Sequence, residues 1–64
     1  MMLKIGDKVK WNDPDIQSYP EEDWEYLKER VFTIDNINGE VITISDNYSE
    51  VEVLESELEL IKKY

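Results

Sequence analysis

Sixteen carboxylates and seven aromatic rings are the side chains of this 64-residue sequence with chemistry to offer. The usual partners of catalysis are missing. With no His, a nucleophilic hydroxyl has no imidazole base, and with no Cys or His there is no thiolate or imidazole site for zinc, iron or copper. Two carboxylates working as acid and base need a pocket that drives their pKa values apart. A β domain this small is filled by its own side chains and has little room for such a cleft. The chain is read as non-enzymatic, with no cofactor and no metal.

One stretch imitates a cation loop. Asp13-Pro14-Asp15-Ile16-Gln17-Ser18 starts with calcium-type spacing, but Ser18 stands sixth, where the turn needs Gly, and Trp24 stands twelfth, where a bidentate Glu belongs. A proline-stiffened turn is the plainer reading. Of the aromatics, Phe32 and Trp11 are assigned to the core and Trp24 to anchoring a helix. Tyr19, Tyr26 and Tyr48 are left to form an exposed aromatic surface, and Tyr64 lies in the polar tail.

Sixteen acidic against seven basic residues give a net charge of −9, which repels phosphate backbones and anionic membranes. Acidity that keeps a small protein soluble is the plain explanation, and a basic partner the sharper one. No stretch approaches the roughly 20 apolar residues of a membrane span. Lys4, Asp7, Lys8 and Lys10 stand where a signal peptide needs an apolar run, so a cytoplasmic location is expected. Residues 1–64 read as one domain, whose folding buries only about 60% of the unfolded surface.

The elements that must position these residues start from Arg30–Ser45. Two β-branched runs, Val31–Ile37 and Val41–Ile44, flank Asn38-Gly39, a pair suited to a type I′ hairpin turn with φ > 0 at both central residues. Before it, Gly6-Asp7 signals a turn, with Leu3 and Ile5 packing ahead of it. Lys8-Val9-Lys10-Trp11 alternates as a strand does, Val9 and Trp11 inward. Ser18-Tyr19-Pro20-Glu21 matches a capping box, predicting a helix over about Glu21 to Glu29 that docks through Trp24 and Leu27. After the hairpin, Asp46-Asn47-Tyr48-Ser49 is a polar turn and Glu50-Val51-Glu52-Val53 a strand with its valines inward. Leu54-Glu55-Ser56-Glu57 reads as one 3₁₀ turn, and Leu58-Glu59-Leu60-Ile61 as a last strand.

Ile5-Gly6-Asp7-Lys8-Val9-Lys10 at the entrance and Val51-Glu52-Val53-Leu54-Glu55-Ser56-Glu57-Leu58-Glu59-Leu60 at the exit resemble the SH3-like small β-barrels, including the KOW and Tudor-type domains. The chain is also similar to small bacterial proteins of uncharacterised role built on this plan. The resemblance implies a mainly β fold, a five-stranded antiparallel SH3-like barrel with the short helix inserted between strands 1 and 2. It places the first and last strands side by side, with Lys8 and Lys10 near Glu57 and Glu59.

The same resemblance implies what such a domain would bind. Tudor-type domains hold methylated Lys or Arg in aromatic cages, and SH3 domains hold proline-rich peptides with basic anchors. Trp11, Tyr19, Trp24 and Tyr48, edged by Asp13, Asp15, Glu21 and Glu22, are of suitable type. The expected function is a protein-interaction module for a basic or proline-containing protein segment. The alternative is nucleic-acid related, either a phosphate mimic that occupies a DNA- or RNA-binding protein or weak KOW-type RNA binding through Lys4, Lys8 and Lys10.

Overall fold

A computed structural model describes residues 3–61. Five antiparallel strands are present: β1 (Lys8–Trp11), β2 (Val31–Asn38), β3 (Val41–Ser45), β4 (Glu50–Leu54) and β5 (Leu58–Leu60). They form one sheet in the order β4-β3-β2-β1-β5. Strands β4 and β5 are its edges, and among the described residues no ladder joins them, so hydrogen bonding does not close the sheet. The first and last strands do run together, with Val9 opposite Leu60, Lys10 opposite Glu59 and Trp11 opposite Leu58.

Alternation along the strands builds the core. Val9, Phe32, Ile34, Ile42, Ile44, Val53 and Leu58 are buried, and Leu3, Trp11, Ile37, Val51 and Leu60 pack against them half-buried. Burying a side chain of this kind contributes roughly 1.5–3 kcal/mol, and here that burial does the work a disulfide would do elsewhere. Phe32 and Ile34 face inward at a spacing of two, but the next inward residue is Ile37. The pairing steps from Ile34–Ile44 to Asn36–Thr43, so Asp35 is an extra residue on β2. This β-bulge restores the phase and sets Ile37 opposite Ile42.

The hairpin turn differs from the expected one. Asn38 pairs with Val41 as the last rung of the ladder, which leaves Gly39-Glu40 as the two-residue loop. Gly39 has φ +62°, and no non-glycine residue among those described has positive φ. Only the first central position is left-handed, as in a type II′ turn. Burial of Ile37 against Ile42 sets the register, and the register decides which residues turn.

Three further expectations are corrected. Ile5 is exposed at the corner of the Lys4–Asp7 turn, closed by Asp7 N–H to Lys4 O at 3.0 Å, with Gly6 at φ +95°. Residues 21–29 form a 3₁₀ turn (Glu21–Asp23) followed by a two-turn helix, α1 (Trp24–Glu29), with a separate 3₁₀ turn at Ile16–Ser18. The capping box does not form: the Ser18 hydroxyl donates back to Asp15 O at 2.7 Å, and Pro20 precedes Glu21 with no side-chain cap. Helix α1 lies between β1 and β2, and at six residues it depends on tertiary contact to persist. Among the described residues no helix is long and apolar enough to cross a membrane.

Candidate functional site

The long connection from β1 to β2 carries much of the chain's negative charge. Residues 12–29 hold seven carboxylates against the single Lys28. Nearly all of these carboxylates are exposed, because turns and a two-turn helix outside the sheet have no core face to offer them. Asp13 is the half-buried exception. Its Oδ1 accepts from the Asp15 N–H at 2.8 Å, an Asx turn that bends the chain at Pro14. Among the described residues no group of three or more carboxylates comes together to hold a metal.

Where this connection meets the sheet there is a cleft of about 30 Å³, lined by Trp11, Asp13, Ile16, Tyr19, Leu27, Arg30 and Phe32. That is space for one or two waters. Trp11 reaches it from the end of β1. Its ring meets Phe32 edge to face, with centroids 6.2 Å apart and planes at 84°. Its indole Nε1–H donates to Glu57 Oε1 at 2.9 Å, which fixes the ring against the turn that enters β5. Leu27 brings α1 to the cleft.

Three of the eight sequence-predicted residues, Trp11, Asp13 and Tyr19, share this cleft. Asp15, Glu21 and Glu22 are exposed on the same connection without lining it. Trp24 is half-buried, and its Nε1–H donates to the Tyr19 carbonyl at 3.0 Å, so its indole bonds to the preceding loop. The ammonium of Lys28 lies 6.0 Å from the Trp24 ring centre. Tyr48 is 85% exposed on the β3–β4 turn and does not line the cleft.

The residue that the sequence reasoning missed is Arg30, the only arginine in the chain. It stands between α1 and β2 and lays its guanidinium over Phe32, 4.7 Å from the ring centre. Its Nε–H donates to Asp46 Oδ2 at 3.1 Å, Nη2 donates to the same oxygen, and the two side chains form an ion pair. Asp46 Oδ1 in turn accepts from the backbone N–H groups of Tyr48 (2.8 Å) and Ser49 (2.9 Å). The Arg30 hydrogen bond first, and the Tyr48 N–H next, lower the Asp46 pKa from 3.8 to about 2. A solitary arginine two residues before a buried Phe was the available signal.

The arrangement offers a cation already seated on an aromatic ring, an exposed tyrosine edge and a surrounding field of carboxylates. Comparison with family models, with curated proteins and with solved structures yields no match to this chain.

Proposed function

We propose that this protein is a non-enzymatic interaction module on an SH3-like barrel plan, which recognises a basic or proline-containing segment of a partner protein. The strand order, with β5 beside β1 and a helix between β1 and β2, supports that plan. The observation that carries the reading is the β1–β2 connection, which sets Trp11, Asp13 and Tyr19 on one cleft and leaves Asp15, Glu21 and Glu22 in water beside it.

The cleft's size decides how a partner would sit. About 30 Å³ does not admit a methylated ammonium, and the Phe32 face is taken by the chain's own Arg30. A partner therefore lies across the rim, stacking on Tyr19, which is 44% exposed, while its cations meet the carboxylates. Trp24 shapes that rim from behind through its bond to the Tyr19 carbonyl. Tyr48 stands exposed on the turn that Arg30 holds through Asp46 and is not among the residues that line the cleft.

Titration of ¹⁵N-labelled protein with short basic and proline-containing peptides tests the reading. Shifts centred on Asp13, Asp15, Tyr19, Glu21 and the Trp11 indole are expected, and they should weaken with salt as charge-steered contacts do. Peptides that leave these signals in place at millimolar concentration would remove the site.

A further inference from the structure

Strand β4 ends the sheet on one side. Its hydrogen-bonding phase is set at both ends, by Asp46 N–H to Ser49 O at 3.0 Å and by Glu55 N–H to Glu40 O at 3.1 Å. Antiparallel pairing alternates, so the backbone groups of Val51 and Val53 face β3 while those of Glu50, Glu52 and Leu54 face outward. This makes a five-residue edge. The other edge, β5, has three residues, and the N–H of Leu58 is taken by the Glu55 carbonyl.

At the end of β4 the edge opens into a groove of about 420 Å³ lined by Glu40, Leu54, Glu55, Ser56 and Leu58. Leu54 is 46% exposed there. Leucines with flanking carboxylates suit a long cationic side chain, whose methylene stem covers the leucines while its head reaches the acids.

We propose that β4 is a docking edge for an extended, basic segment of a partner protein. The segment adds as a sixth strand and lodges a lysine or arginine between Glu40 and Glu55. Backbone pairing supplies the attachment, and Glu50, Glu52 and the groove select for positive charge. A second copy of this chain is the wrong occupant. Antiparallel β4–β4 pairing would set glutamates against glutamates, and like charges directly opposed are destabilising. Each chain also carries −9.

The partner's chemistry is the one argued above for the β1–β2 surface, but the site is a different one and is read out separately. The probe is a short capped peptide of alternating lysine and valine, titrated into the ¹⁵N-labelled full chain. Expected are shifts at Glu50, Glu52, Leu54 and Glu55, with slowed solvent exchange of the amides of 50, 52 and 54. The double variant Glu50→Lys/Glu52→Lys should bind about tenfold more weakly.

Two controls separate strand addition from plain charge attraction. Glu52→Pro removes an outward N–H without taking a bond from β3, so a folded Glu52→Pro chain should lose the exchange protection. A peptide N-methylated at alternate residues tests the same point from the ligand side. Equal binding of the methylated peptide, shifts confined to residues 12–29, or self-association through β4 would each overturn the proposal.

Discussion

Arg30 and Asp46, sixteen positions apart in sequence, are joined by an ion pair in which Arg30 Nε–H donates to Asp46 Oδ2 at 3.1 Å. The contact ties the start of β2 to the β3–β4 turn. It also holds the guanidinium over Phe32, so one arginine serves a turn, a ring and the cleft wall together.

The pH dependence follows from that pair. The Asp46 pKa is lowered from 3.8 to about 2, so its carboxylate is more favourable in the folded chain than in the unfolded one. The stabilisation is fully present above about pH 4 and fades as pH falls through 2. Asp46→Asn should melt below the parent at pH 7, and the gap should close toward pH 2. Thermal melts of both proteins across that range test it, and a gap constant with pH would show that the carboxylate's charge is immaterial.

Removing Ile44, which has no solvent exposure, should cost about 2–5 kcal/mol as Ile44→Ala, a large part of what a domain this size possesses. Val51→Ala, at a half-buried position on the neighbouring strand, should cost clearly less. Urea denaturation of the two variants measures the difference.

The turn assignment predicts an asymmetry between neighbours. Gly39→Ala forces an L-residue into φ +62°, a strain of roughly 1–2 kcal/mol, although a Cβ there meets no atom within 4 Å. Asn38→Thr, at a strand position, should change stability by no more than about 0.5 kcal/mol. A large loss from Asn38→Thr in chemical denaturation would restore Asn38 to the turn.

Trp11→Phe keeps an aromatic ring of smaller size and removes the indole N–H that Glu57 accepts. A loss of about 1 kcal/mol is expected. In a double-mutant cycle with Glu57→Ala, the second substitution should add little to the first. Full additivity would mean the contact contributes nothing in solution.

How much of this was legible beforehand depends on how local each signal is. The five strands and the inward valines of β4 follow from alternation and are present, and the 3₁₀ turn read from the interruption at Leu54–Glu57 is present over Glu55–Glu57. Lys10 was expected near Glu59 and stands opposite it. Lys8 instead donates to Thr33 Oγ1 at 2.6 Å, and Glu57 is engaged by Trp11. Side chains choose among several neighbours that a linear reading cannot rank.

The misreadings share a cause. Asn38-Gly39 and Ser18-x-x-Glu21 are local motifs, and each was overridden by its surroundings: the first by a register fixed by buried isoleucines, the second by consecutive 3₁₀ turns that sent the serine hydroxyl backward. The cleft was half legible. Trp11, Asp13 and Tyr19 are near in sequence to the connection that gathers them. Arg30 joins only through a long-range pairing with Asp46, which no spacing announces.

Asp35 has a consequence of another kind. It projects into water and makes no side-chain hydrogen bond among the described residues, so many amino acids could replace it. Deleting it would leave Asn36 opposite Thr43 and Ile37 opposite Ile42 in an unbroken ladder, and what would go is the bend and added twist of the bulge. At this position the strand uses a residue for curvature and is indifferent to its chemistry, so a deletion here should straighten β2 without turning a core side chain outward.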